Sequence, residues 1–228
     1  MSNFCLVPMT VEEINDLLGK DFAETFQHEM DEIIKPLRKY ISKGYPLALG
    51  KEQWEYVVSE SIPGAEWCGA GKSIIDVRLG SDTGCDVKGV GITNDKSTAT
   101  AEASMFQSFK SGTNDFFKSG DKKALWDLFV DGWLQKVQTV KNYYLIGIVR
   151  KKDSLNCSLC CFKVKNINLS FLDENCHFLT ESMRINGIGD PEFIDTRIYR
   201  SKTRLEIKFK KPAWQDNNYS LPIYKFND

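Results

Sequence analysis

Histidine is scarce in this sequence, because the 228 residues contain only His28 and His177. Two histidines so far apart argue against a hydrolase built on a histidine-centred triad. No apolar run approaches the roughly 18 residues needed to span a bilayer, and we expect no membrane partner. The first residues show neither the basic leader nor the apolar segment of a signal peptide, and we therefore expect a cytoplasmic protein. Walker and dinucleotide-binding fingerprints are also missing.

The chain has little overall charge, since its formal net charge is −1. The net charge of the chain therefore does not indicate a nucleic-acid-binding protein, but the basic residues are unevenly distributed along the sequence. The segment 196–212 contains seven basic residues and one acid, a local basic surface that could follow a phosphate backbone. The alternative is a solvent-exposed hairpin with its charges outward. The candidate DNA-binding residues of this segment are Arg197, Arg200, Lys202 and Arg204.

The seven cysteines are odd in number and mostly lie in apolar, strand-like segments. This pattern favours reduced, buried thiols over a disulfide framework. Cys157, Cys160 and Cys161, followed by Cys176-His177, bring metal-ligand residue types together. The grouping lacks the second closely spaced pair of a usual zinc site. We therefore expect core thiols rather than a zinc site.

Hydrophobic periodicity predicts an α/β fold. Thr10 and Glu13 have the spacing of a capping box and begin a helical N-terminal region. A hydrophobic content of 42% is enough to bury a core, and we expect a single domain with a mixed central β-sheet flanked by helices. Further helices are predicted over 51–62, 97–110 and 121–140, and strands over 65–71, 143–149, 155–164, 193–199 and 204–209.

The stretch 73–93 contains the residues that best indicate a function. It is typical of two short strands joined by a tight turn, with Asp76 near the end of the first strand and Asp86, Val87 and Lys88 in the second. Because successive side chains of a strand alternate, Asp86 and Lys88 share one face. Pairing of the two strands would bring Asp76 to the same corner. Two carboxylates and a lysine at one sheet edge can hold a divalent cation beside a polarised water.

Asp76, followed ten residues later by Asp86-Val87-Lys88, resembles the active-site pattern of the PD-(D/E)xK nucleases, the fold shared by many type II restriction endonucleases. The resemblance implies that Asp76 and Asp86 ligate Mg²⁺ and that the carbonyl of Val87 completes the site. It also implies that Lys88 orients or activates the attacking water and steadies the phosphate. Ile75 stands where the family pattern has proline.

The same resemblance implies a restriction-endonuclease-like core in a single nuclease domain. Residues 1–50 would form a helical cover or dimer contact, 51–150 the catalytic core, and 151–228 the DNA-recognition strands. Many nucleases of this fold add a glutamate from the helix that precedes the sheet, which makes Glu55 a candidate catalytic residue. A solvent-exposed helix glutamate is the alternative at that position. Gln107, on the helix expected after the catalytic strand, is a candidate DNA contact.

Other acids compete for these roles. Asp82 is the alternative to Asp76 as the first metal ligand, although a turn aspartate commonly bonds its own backbone. The D/E-x-K spacing recurs at Asp121, where an acid is ordinary at the start of a helix. It recurs again at Glu206 and Lys208, with Asp195 upstream. Only twenty residues follow Lys208, too few for the helix and strand that the resembling nuclease core requires.

The implied function is a Mg²⁺-dependent endonuclease of double-stranded DNA. In its most specific form this is a type II restriction enzyme that cuts a short palindrome as a homodimer, by attack of metal-activated water on phosphorus. A repair or junction-resolving nuclease on the same core is one alternative. A non-catalytic nucleic-acid-binding module, in which the acids form surface salt bridges, is another.

Overall fold

The structure is a computed structural model that describes residues 5–41, 43, 49–69, 75–92, 101–104, 113–151, 155–165, 171–200 and 205–226. Within these ranges the helices are α1 (Val11–Leu18), α2 (Phe22–Ile34), α3 (Arg38–Ile41), α4 (Lys51–Glu60), α5 (Thr113–Ser119), α6 (Lys122–Val137) and α7 (Lys211–Gln215). The strands are β1 (Leu6–Pro8), β2 (Ala65–Trp67), β3 (Val77–Leu79), β4 (Thr83–Ile92), β5 (Ala101–Ser104), β6 (Asn142–Lys151), β7 (Cys157–Val164), β8 (Cys176–Phe178), β9 (Ser182–Ile185), β10 (Ile194–Tyr199), β11 (Leu205–Phe209) and β12 (Leu221–Tyr224). No helix of the described ranges is both long and apolar enough to cross a membrane.

The central sheet is seven-stranded and mixed. Its order is β1-β7-β6-β4-β3-β2, and β12 also pairs with β7. β4 and β6 run parallel, while β6 pairs with β7 and β3 with β4 in antiparallel fashion. A parallel pair needs a crossover connection, and the chain between β4 and β6 includes β5, α5 and α6. The predicted class, α/β with a mixed central sheet flanked by helices, is confirmed.

One face of the central sheet is covered by helices. The capping box of α1 is present, since Thr10 N donates to Glu13 Oε2 (2.8 Å) and Glu13 N donates to Thr10 Oγ1 (3.3 Å). Along α2, buried apolar residues recur every four positions and form the stripe that packs inward. They share a core with α4 and with the side chains that β4, β6 and β7 direct to this face. The α2 stripe consists of Phe22, Phe26, Met30 and Ile34.

The other face is covered by a second sheet and by α6. This sheet is antiparallel and five-stranded, with the order β5-β11-β10-β9-β8. Its apolar side packs against β6 and β7, where the rings of Phe162 and Phe209 stack with centroids 5.4 Å apart. A Cβ atom on Gly147 would lie 2.7 Å from Phe209 Cε2, and glycine is therefore required for this close approach.

The helix predicted over 97–110 is wrong for its described part, because residues 101–104 form β5. Ala101 lies opposite Phe209 and Ala103 opposite Ile207 in the second sheet. This pairing joins residues more than 100 positions apart and supplies backbone hydrogen bonds that local helix propensity does not anticipate. The sequence analysis also did not predict β1, α5, β8, β9, α7 or β12. The remaining predicted helices and strands agree with the structure to within a few residues at their ends.

The cysteines are free thiols, and six of the seven are buried. Cys161 faces the helical side of the central sheet, whereas Cys160 and Cys176 belong to the core shared with the second sheet. Cys68 is the half-buried one. The prediction of core thiols is confirmed for the six buried residues.

Candidate active site

The hairpin of β3 and β4 positions the first carboxylate. Gly80 adopts φ 66° in the turn, a conformation that glycine tolerates best. The backbone N–H of Asp76, just before β3, donates to Cys85 O (3.0 Å). Two residues farther along β4, Val87 N donates to Asp76 Oδ2 (2.8 Å). The backbone and the side chain of Asp76 thus both form hydrogen bonds with β4, and these bonds hold the carboxylate against that strand.

The ammonium group of Lys88 binds three oxygen atoms. Nζ donates to Asp86 Oδ1 (2.7 Å), Asp76 Oδ2 (3.0 Å) and the carbonyl oxygen of Val87 (3.2 Å). These are the three groups that the sequence analysis named as metal ligands. The structure therefore brings Asp76, Asp86, Val87 and Lys88 together around one positive charge.

Helix α4 adds a third carboxylate and a second lysine to this group. Lys51 Nζ lies 2.9 Å from Glu55 Oε1 and 3.4 Å from Asp76 Oδ1. The position of α4 depends on Gly89 of β4, since a Cβ there would lie 2.4 Å from Trp54 Cδ1. The Glu55 side chain is only 2% exposed. Glu55 is therefore a buried member of the cluster, and the alternative of a solvent-exposed helix glutamate is wrong.

Burial and charge both act on the ionisable groups of the cluster. For Lys88, desolvation is the largest single effect and by itself would lower the pKa. The charges of Asp86 and Asp76, together with their hydrogen bonds, outweigh it, so the net effect is a raised pKa. For Lys51, desolvation likewise favours a lower pKa, but the hydrogen bond to Glu55 and the charges of the neighbouring carboxylates outweigh it, and the pKa is raised. Both lysines are therefore charged at neutral pH. Burial raises the pKa of the Tyr143 hydroxyl well above its usual range, and the charges of Asp86 and Asp76 add to this.

The oxygen atoms around Lys88 are of the type that a small hard cation binds. Within the described ranges, no group of three or more histidine, cysteine, aspartate or glutamate side chains is placed to hold a metal ion. The oxygens of Asp76, Asp86 and Val87 nevertheless converge on one cation, the ammonium of Lys88. Mg²⁺ prefers oxygen ligands and commonly needs only one or two protein carboxylates, because it keeps several waters. The fit therefore depends on the cation displacing that ammonium group.

Asp82 does not belong to this cluster. It lies in the turn of the hairpin, where Ser81 Oγ donates to its Oδ1 (2.9 Å) and Lys141 Nζ is 4.0 Å from its Oδ2. Its side chain is 60% exposed. Asp121 has the local role expected of it at a helix start, because its Oδ1 accepts a hydrogen bond from Ala124 N (2.9 Å) at the beginning of α6.

The competing residues of the second sheet form a different arrangement. Asp195 lies opposite Lys208 in the register of β10 and β11. One oxygen of its carboxylate lies 3.0 Å from Arg184 Nε, and the other lies 2.7 Å from Arg197 Nη2. Glu206 is buried at 1% exposure, and Lys208 Nζ lies over the ring of Tyr199, 5.4 Å from its centroid. Two arginines therefore already neutralise the acid proposed as a metal ligand here.

The candidate DNA-binding residues are only partly described. The Arg197 side chain is 21% exposed and bound to Asp195, which limits its freedom to contact a ligand. Arg200 follows β10, and its backbone N–H donates to Glu181 O (2.9 Å). Gln107, Lys202 and Arg204 lie outside the described residues.

Lys51, a member of the cluster, was not predicted from the sequence, and neither was Tyr143, whose pKa the charges of Asp86 and Asp76 help to raise. The spacing of Lys51 and Glu55 is i,i+4, which places both side chains on one face of a helix and could have paired them. Tyr143 stands opposite Gly84 in the parallel register. No local pattern marks it as a neighbour of the two aspartates.

Comparison of the chain with protein-family models, with curated proteins and with solved structures finds no match. A function for this protein therefore has to be inferred from its own residues.

Proposed function

We propose that this protein is a Mg²⁺-dependent endonuclease of double-stranded DNA, with a restriction-endonuclease-like core of the PD-(D/E)xK type. The observation that carries the proposal is the convergence of Asp86 Oδ1, Asp76 Oδ2 and Val87 O on the ammonium of Lys88, at 2.7, 3.0 and 3.2 Å. Three oxygens that already bind one cation are suited to bind another of the kind that phosphodiester hydrolysis uses.

The residues of the cluster have distinct roles in this proposal. Asp76, Asp86 and the Val87 carbonyl would hold the divalent ion, with Glu55 as an additional acid. When bound, such an ion lowers the pKa of coordinated water and neutralises charge on the leaving oxygen. The flexible side chain of Lys88 would leave the two carboxylates and donate hydrogen bonds to the phosphate, where negative charge develops in the transition state.

A more specific form of the proposal is a type II restriction enzyme acting as a homodimer on a short palindrome. Two-fold symmetric DNA is matched by a two-fold symmetric protein. This form is supported by the sequence resemblance, and size-exclusion chromatography with light scattering would test the dimer directly.

The test is incubation of the protein with mixed plasmid and branched DNA, with and without Mg²⁺, followed by sequencing of all new ends. We expect cutting only with Mg²⁺ and loss of cutting in Asp86→Asn. Lys88→Ala should lower the rate roughly 100-fold or more, because it removes a donor to the developing charge. Asp82→Asn is the matched control: it removes an exposed acid of the same hairpin and should cut at the wild-type rate.

Each result has a distinct meaning. Discrete, sequence-dependent fragments would identify a restriction activity, whereas cuts at junctions or lesions would identify a repair or junction-resolving nuclease. Absence of cutting by the wild-type protein under any divalent ion, together with DNA binding that is unchanged in Asp86→Ala, would refute the proposal and favour a non-catalytic binding module.

A further inference from the structure

The cluster contains a cationic side chain with no assigned role, that of Lys51. Its ammonium lies 2.9 Å from Glu55 Oε1 and 3.4 Å from Asp76 Oδ1. Lys88 takes the other oxygen of the same aspartate at 3.0 Å. The carboxylate of Asp76 therefore bridges two lysines, one on each oxygen.

Lys51 is also the member of this group that solvent reaches. Its side chain is 50% exposed, whereas those of Glu55 and Asp76 are 2% and 7% exposed. Lys88 and Asp86 are similarly enclosed, at 10% and 1%. A large anion approaching the cluster from solvent would therefore be able to meet the Lys51 ammonium before the buried groups.

The charge balance indicates what such an anion would be. Three carboxylates and two ammonium groups carry one net negative charge. A divalent cation would change this to one net positive charge, which one phosphodiester group would neutralise. The cation would also neutralise the carboxylate of Asp76 and so weaken the attraction between that carboxylate and Lys51.

We propose that Lys51 is a phosphate-binding residue, which turns from Asp76 to a backbone phosphate at the cleavage site once a divalent cation is bound. The proposal rests on the proposed nuclease function and adds to it a second lysine that contacts the substrate. A purely structural role for Lys51, as the counterion of Glu55 and Asp76, is the competing explanation.

The experiment measures kcat and KM for a defined duplex as a function of KCl at fixed Mg²⁺. Each phosphate contact contributes about 0.9 to the slope of log affinity against log salt concentration. We therefore expect Lys51→Gln to reduce the slope of log kcat/KM by about 0.9, so that between roughly 50 and 200 mM salt the wild type loses about threefold more activity than the variant. Lys51→Arg keeps the charge and should keep the wild-type slope.

Lys20→Gln is the charge-matched control, because Lys20 is exposed between α1 and α2; it should also keep the slope. If Lys51→Gln does not cleave at all, the same slope is read from binding of a fluorescein-labelled duplex with Ca²⁺, which also takes oxygen ligands. A wild-type slope in Lys51→Gln would overturn the inference while leaving the nuclease proposal intact. Absence of cutting by the wild type would overturn both.

Discussion

Removing the ammonium group of Lys88 should destabilise the protein strongly, because it leaves two carboxylates buried without their shared counterion. Asp86 and Asp76 are 1% and 7% exposed, and Lys88 Nζ lies 2.7 and 3.0 Å from them. Breaking a buried ion pair by removing one partner costs about 3 to 5 kcal/mol. Lys88→Met preserves most of the apolar stem, so that the lost charge dominates the effect.

The expected fall in Tm follows from the length of the chain. For a protein of 228 residues, 1 kcal/mol of stability corresponds to about 2 °C. Lys88→Met should therefore unfold about 6 to 10 °C below the wild type in calorimetry at neutral pH and in EDTA. The deficit should shrink at acid pH, because protonation of the carboxylates removes the uncompensated charge. Lys20→Met, at an exposed position, should change Tm by less than about 1 °C.

Two further measurements test the reasoning behind this value. Adding Asp86→Asn to Lys88→Met should restore part of the lost stability, since one uncompensated carboxylate is then gone. A divalent cation should raise Tm more in Lys88→Met than in the wild type, because the ammonium no longer competes for the same oxygens. A fall of less than about 2 °C in Lys88→Met, or equal stabilisation of both proteins by the cation, would refute the idea that ammonium and cation share one place.

Three other outcomes follow from the packing. Gly89→Ala would place a Cβ 2.4 Å from Trp54 Cδ1, and overpacking of this kind should cost about 1 to 3 kcal/mol in urea unfolding; Gly91→Ala, with open space at that position, is the control. Burial raises the pKa of Cys160 and Cys157 to about 12 from 9.0, so both stay neutral in the folded state while the unfolded chain ionises above pH 9. Stability should accordingly fall from about pH 9 upward, by about 1.4 kcal/mol per pH unit for each thiol, and Cys160→Ala should flatten the curve; a flat stability profile to pH 11 in the wild type would contradict this. With Ellman's reagent, one thiol of the native protein should react quickly, that of the half-buried Cys68, and Cys68→Ser should abolish that fast phase.

The sequence alone predicted the parts of the candidate site that depend on short-range geometry. The alternation of a strand places Asp86 and Lys88 on one face whatever the rest of the fold does. A tight turn between β3 and β4 then limits where Asp76 can lie. The ionic contacts among these three residues follow from that local geometry. The capping box of α1 and the strand β6 were also predicted, because each is set by a short local pattern of residues.

The sequence analysis failed where pairing partners are distant in the chain. The segment Ala101–Ser104 alternates small and polar residues and suits a strand as well as a helix. Its pairing with β11 decides between them. Of the second sheet, β10 and β11 were predicted but β5, β8 and β9 were missed. Short strands such as β8 and β9 are stabilised by their neighbours in the sheet more than by their own propensity.

What the sequence determined by itself is therefore the order of the acidic and basic groups along one hairpin, since backbone periodicity sets their relative directions. Only the tertiary structure decided that Glu55 is buried and that Lys51 reaches an aspartate 25 positions away. A helical pattern shows which face a residue occupies, but not how deep that face is buried or what it packs against. Both depend on Trp54 fitting against Gly89, a contact that no local pattern encodes.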